Sequence, residues 1–184
     1  LDVRVIEAED QQCRLDLRSA LLDVAILQEY DHVPAAVTTE FDRYPIATDP
    51  MHLITPASWG RRSGLLADLA DVPWVASAEH TPCGRSTLHA CHLAGFEPDI
   101  RHRAIDFALT LDLVAAGLGA ALVPGLALRN VPEGVHTESL VAPVTERRIF
   151  AVTRPRGDGP VHPAINALLT ELRKPDRVDR ESDR

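Results

Sequence analysis
Short apolar strands alternate with amphipathic helices along this chain, which predicts an α/β fold built on mainly parallel sheets. Three stretches carry the prediction. Residues 106–128, DFALTLDLVAAGLGAALVPGLAL, read as a capped helix, a glycine stop and a fully apolar strand that ends at Pro124. Residues 73–95 read as a strand, a second capped helix and a glycine stop. Residues 3–27 read as strand–helix–strand, which implies a right-handed parallel crossover.

Each element has its own local reason. Val3, Val5 and Ile6 mark a first strand, ending near Glu7. Residues 9–20 follow as a helix with Cys13, Leu17, Ala20 and Leu21 on one side, and residues 22–27 form a second buried strand. Residues 29–44 are expected as loop and edge segment, and residues 52–55 (HLIT) as a strand stopped by Pro56. Ser63 caps a short helix over 63–69, and residues 73–77 (PWVAS) form a strand. Thr81 is an N-cap with Pro82 at the first helical position. Leu88 and Cys91 make that helix's apolar side, and Gly95 ends it. Residues 100–104 are a strand. Asp106 caps the next helix, whose stripe is Phe107, Leu111, Val114, Ala115 and Leu118. Gly117 and Gly119 allow its reversal. Residues 120–123 suit a strand buried on both faces. A helical turn after Pro124, weak strands near 135–140, a clear strand over 148–153 (RIFAVT) and a helix over 161–172 complete the order. Residues 175–184 are charged and lack apolar positions, as a disordered tail would.

The length of 184 residues suits one large domain or two small lobes. A net charge of −8 argues against the chain gripping nucleic acid by itself, because phosphate binding needs clustered Lys and Arg. Lys174 is the only lysine, and the arginine pairs at 61–62 and 147–148 read as solvated faces. Cys13, Cys83 and Cys91 make an odd count without CxxC spacing, which fits a reducing cytosol and no disulfide framework. No apolar run is long enough to span a membrane, and no signal peptide is visible. The chain starts at Leu1 and runs straight into strand-like sequence, so a fragment of a longer protein is expected.

Five segments, in order, resemble the effector-binding domain of LysR-type transcriptional regulators. They are EAEDQQCRLDLRSALLDVAI at 7–26, LLADLADVPWV at 65–75, CHLAGFEPDI at 91–100, LDLVAAGLGAALVP at 111–124, and RRIFAVTRP followed by HPAINALL. The resemblance implies two Rossmann-like lobes of the type 2 periplasmic-binding-protein kind. Residues 1–56 and 147–174 would form lobe I and residues 57–146 lobe II, with a small-molecule effector between them. It also implies that a strand and helix of lobe I, roughly 20–30 residues, precede the first segment in the family. A winged helix-turn-helix and a linker helix come before those. DNA would be bound only through that N-terminal module, the protein would be a homodimer or homotetramer in the cytoplasm, and it would touch no membrane. A small organic acid is the family-level effector. The alternatives are a free-standing solute-binding protein of the same fold, or an enzyme on it. An upstream winged helix-turn-helix or an upstream signal peptide would separate the first two.

Ligands of open α/β sheets sit at the carboxyl ends of strands. Those ends offer Asp10 after the first strand, then Ser77, Glu79, His80 and Thr81. Asp106 and Phe107 follow the strand at 100–104, and Pro124 and Gly125 the strand at 120–123. These are the candidate effector-binding residues, with Thr55 and Pro56 as lobe-crossing residues within reach. Asp10 falls where the family often places a hydroxyl residue, and a carboxylate there disfavours an acidic ligand. Asp10 as a plain N-cap, Thr81 as a cap alone, His80 in solvent and Phe107 in the core are the competing readings. The N-terminus opened by Thr81 is an anion site, worth only about 0.3–2 kcal/mol. Micromolar binding needs about 8 kcal/mol, so other groups must join. Gly117-Leu118-Gly119 follows a helix and precedes a strand, the reverse of a dinucleotide loop. His89 and His92 can share a helix face but have no evident partners for a metal. No nucleophile–base pair stands out. No catalytic residue, cofactor or metal is therefore expected.

Overall fold
The computed structural model describes residues 1–33, 40–61, 63–157 and 159–174. The expected tail at 175–184 and Arg62 lie outside these. The fold is mixed α/β, and the chain divides into two compact units. One comprises the described residues of Leu1–Gln28, Ala36–Ala47 and Ile149–Arg184. The other comprises those of Glu29–Ala35 and Thr48–Arg148. The boundaries implied by the family resemblance, 56/57 and 146/147, lie at different residues.

The first unit holds helix α1 (Asp10–Arg18) and the leading part of strand β1 (Ala25–Tyr30). It also holds the start of β2 (Asp42–Pro56), most of β7 (Glu146–Thr153) and helix α4 (Pro163–Leu172). The strands lie in the order β1-β7-β2. Leu17, Ala25, Leu27, Phe41 and Val152 form its core, with Cys13, Leu22 and Phe150 packed against them. Arg154 holds the α1–β1 turn, donating to the carbonyls of Leu17 (3.2 Å) and Leu22 and to Asp23 (3.0 Å). A cation on the last carbonyls of a helix satisfies acceptors that have no intrahelical donor.

The expected strand at residues 3–6 is not formed: residues 1–9 have no regular structure, and Val5 is 86 % exposed. The parallel crossover it would have begun is therefore absent. Strand propensity is a preference for a half-buried pleated surface, and it needs a neighbour to supply the ladder. Among the described residues no strand pairs with this segment. The next strand starts at Ala25, three residues later than expected, and runs on to Tyr30.

The second unit holds the remaining elements. Strands β3 (Pro73–Ala76) and β4 (Asp99–Arg103) pair in parallel. Strand β5 (Ala121–Pro124) follows Ala120, whose N–H donates to Pro73 O (2.9 Å) and whose carbonyl accepts from Val75 N (2.8 Å). Both β5 and β6 (Val135–Ser139) pair antiparallel with the end of β2, Leu53 facing Leu122 and Glu138. β2 is far longer than the HLIT core that the sequence marked, but both antiparallel pairs fall on or beside that core, at Met51–Ile54 and His52–Pro56. Helix α2 (Pro82–Leu93) is capped by Thr81, and α3 (Phe107–Ala115) by Asp106, whose carboxylate accepts from Leu109 N at 2.9 Å. Gly117 ends α3 with φ of +81°. Over 63–69 the expected helix is a 3-10 turn, Leu66–Leu69. Ser63 supports it, donating to Asp68 at 2.6 Å and accepting from Leu65 N at 3.2 Å.

Two apolar clusters fill this unit. One gathers Tyr30, Met51, Leu53, Leu66, Leu69, Trp74, Cys91 and Leu122. The other gathers Ile54, Val75, Leu111, Val114, Ala121 and Val123. Trp74 is fully buried, and its indole N–H donates to Leu69 O at 3.2 Å. Among the described residues no helix is long and apolar enough to cross a membrane.

Candidate functional site
In the second unit, the carboxyl end of β3 meets the N-terminus of α2. Ser77 is buried there, and its hydroxyl donates to Ala104 O at 3.1 Å. Thr81 donates to Ala78 O (2.7 Å) and accepts from Gly84 N (3.0 Å), so its hydroxyl closes the β3–α2 turn. The turn is tight because position 84 lacks a side chain. A Cβ there would stand 2.2 Å from Ala78 O, a contact no other residue tolerates.

Behind this turn lies a polar cluster around a buried arginine. Arg147 is 9 % exposed and Asp49 2 %. One carboxylate oxygen of Asp49 accepts from both Nε and Nη2 of Arg147 at 2.8 Å. The other accepts from Leu126 N at 3.0 Å, which fixes the turn after β5. The Phe107 ring centroid is 5.9 Å from the Arg147 guanidinium carbon. Tyr30 and Cys83 complete the group. Burial pushes the Cys83 thiol up; hydrogen bonding with Ser77 and Tyr30 and the charge of Arg147 act the other way. Burial likewise raises the Tyr30 phenol, with Cys83 and Arg147 as its charged and polar neighbours. Even so, the buried Tyr30 hydroxyl makes no hydrogen bond of regular geometry. Native structures rarely leave such a group unpaired, and each exception calls for an explanation.

The expected site residues therefore separate. Ser77, Phe107 and Gly125 reach this cluster, and Thr81 and Asp106 hold the helix N-termini beside it. Pro124 is buried at the end of β5, opposite Met51. Glu79 and His80 are exposed on the β3–α2 turn and line a separate cavity against α2. Asp10 belongs to the other unit. It is the first residue of α1 and pairs with Arg14 at 2.5 Å, while Glu9 holds the N-cap position that the competing reading gave to Asp10. Thr55 is fully buried and faces His136 across β2 and β6.

Arg147 is not on a solvated face, as the Arg147–Arg148 pair suggested. Successive strand residues point to opposite faces, so in β7 Arg147 turns inward and Arg148 outward. That alternation was the available signal. Asp49 and Tyr30 carry none, since each reaches Arg147 only through the tertiary fold. Among the described residues no group of three or more His, Cys, Asp or Glu is placed to hold a metal ion.

The family model for the LysR substrate binding domain matches residues 1–175. The malonate utilization transcriptional regulator of Klebsiella pneumoniae is 34 % identical over 117 residues, 62 % of this chain and 38 % of its own length. The hydrogen peroxide-inducible genes activator of Dickeya chrysanthemi is 28 % identical over 160 residues, 84 % of this chain and 51 % of its own. The chain thus spans about half or less of these relatives, which are transcriptional regulators. Among solved structures, a cysteine mutant of Corynebacterium glutamicum OxyR superposes with a TM-score of 0.74 at 21 % identity, covering 94 % of this chain and 54 % of that one. The oxidized form of OxyR gives 0.69 at 27 % identity, covering 94 % and 81 %. Fold, segment order and family model agree: this chain belongs to the LysR substrate-binding domain family.

Proposed function
We propose that the chain is the sensing part of a cytoplasmic LysR-type regulator, and that a small organic acid occupies the Arg147 cluster of the second unit. The observation that carries this reading is the buried Tyr30 hydroxyl, which has no hydrogen bond of regular geometry although Arg147 and Cys83 stand beside it, with Ser77 next to Cys83. An acceptor oxygen on a ligand would complete it. The Asp10 carboxylate that weighed against an acid at the level of sequence does not stand at this place. Asp10 is compensated by Arg14, and Glu79 lines a different cavity. The effector acts by binding one arrangement of a homo-oligomer better than another, and its effect is bounded by that difference in affinity. DNA is bound by a winged helix-turn-helix module outside this sequence. The chain catalyses no reaction of its own.

Malonate is the first probe, given the regulator of malonate utilization among the relatives; succinate and benzoate extend the panel. A ligand at 100 times its dissociation constant adds about 2.7 kcal/mol of stability. At least one acid is expected to raise the melting temperature saturably in the wild type and much less in Tyr30→Phe. A panel that leaves the wild type unshifted, or shifts both equally, contradicts the reading.

A further inference from the structure
Residues 1–7 of the first unit carry bonding groups and apolar surface that the fold leaves unused. Among the described residues no backbone hydrogen bond involves them. Leu1, Val3, Val5 and Ile6 are exposed together, and Asp2 and Arg4 between them have no ion-pair partner among the described residues. Beside them lies an apolar groove of about 680 Å³, lined by Leu1, Val3 and Ile6 with Leu22 and Val24 ahead of β1 and Leu168 of α4. An exposed, strand-like segment with unpaired backbone groups is a template for a second chain.

The stretch LDVRV alternates apolar and charged residues and carries opposite charges at its second and fourth positions. Two such segments can meet antiparallel about a twofold axis. With the axis at Val3, Leu1 faces Val5 of the second copy, Val3 faces Val3, and Asp2 faces Arg4 on both sides of the axis. Apolar and opposite-charge pairs directly across two strands are the favourable ones. Moving the axis to Asp2 or to Arg4 sets like charges face to face, and placing it between residues sets apolar side chains against charged ones. Parallel pairing in register also aligns Asp2 with Asp2 and Arg4 with Arg4. Only the antiparallel register at Val3 is complementary to itself. In it Leu1, Val3 and Val5 of both copies share one face. A two-stranded ribbon alone is marginal in water, and the groove supplies the apolar backing that it needs.

We infer that residues 1–5 pair antiparallel with the same residues of a second copy of this chain, across a twofold axis at Val3, and that the joined strands cover the groove of each copy. The occupant is a second copy because the charge pattern is complementary to itself. Five residues a side bury much less than the roughly 1,600 Å² of a standard interface, so the dimer is weak and reversible. The surface lies in the first unit and does not depend on an effector at the Arg147 cluster of the second.

Sedimentation velocity of the chain over about 10–500 µM, the range of weak association, should show a monomer that gives way reversibly to a dimer. Asp2→Arg and Arg4→Asp each turn two opposite-charge pairs into like-charge ones, and each should weaken dimerisation about tenfold or more. Far-ultraviolet circular dichroism should not change, because residues 1–7 hold no regular structure. An equimolar mixture of the two variants restores both opposite-charge pairs and should form heterodimers with about the wild-type affinity. Asp71→Arg makes the same change in net charge as Asp2→Arg, at an exposed position of the second unit, and should dimerise as the wild type does. A wild type that stays monomeric throughout, single variants that dimerise as well as the wild type, or a mixture that fails to associate would overturn the inference.

Discussion
The Tyr30 hydroxyl sits in a protein interior without a regular hydrogen bond, and leaving a buried polar group unpaired costs about 1–3 kcal/mol. Tyr30→Phe removes the group and keeps the ring. It should hold or raise the unfolding free energy of the ligand-free chain, read by urea titration, while weakening acid binding. A loss of stability would mean that the hydroxyl already has its partner inside the protein. Asp49→Asn makes the opposite case. It strands Arg147 in the interior, and breaking a buried pair in this way costs roughly 3–5 kcal/mol, visible as a lower urea midpoint. Neither residue was legible in the sequence. Tyr30 ends an ordinary strand, and Asp49 precedes a proline. Only tertiary folding brings them to Arg147, whereas Thr81 and Asp106 were legible because a cap acts on a backbone N–H three residues away.

At the scale of elements, the β3–α2 unit depends on Gly84 and Thr81. Gly84→Ala places a methyl group against Ala78 O, and overpacking of this kind typically costs about 1–3 kcal/mol. Thr81→Val should cost about 1 kcal/mol as a lost cap, and Thr81→Ser only a few tenths; thermal melts of the three variants rank them. The same unit carries two thiols that burial holds protonated. Cys83 is raised, and Cys91 is pushed up to about 12. An unfolded thiol ionises around 9.0. The stability that protonated burial contributes is therefore complete below that value and is lost as the pH rises through the folded values. Urea midpoints should fall between about pH 9 and 12, and Cys91→Ala should flatten that fall. Helices α2 and α3 and strand β5 could be placed from sequence because their signals are local. The strand expected at residues 3–6 could not, because a strand exists only with its neighbour.

For the molecule as a whole, the alternation of elements and the order of five short segments were enough to place the chain in its family. They said little about the ligand. The family scaffold is set by turns, caps and apolar runs, all written within a few residues of one another. The ligand chemistry proposed for it rests on groups from β1, β2, β7 and the α2 N-terminus, which are separated by up to 117 residues (Tyr30 to Arg147). The most direct measurement is a malonate titration of isotopically labelled chain followed by amide chemical shifts. Saturable shifts at Ser77, Cys83, Phe107 and Leu126, lost in Tyr30→Phe, are the expected result. Saturable shifts confined to Arg85, His89 and Arg103 of the separate cavity against α2, or none at all, would contradict effector binding at the Arg147 cluster.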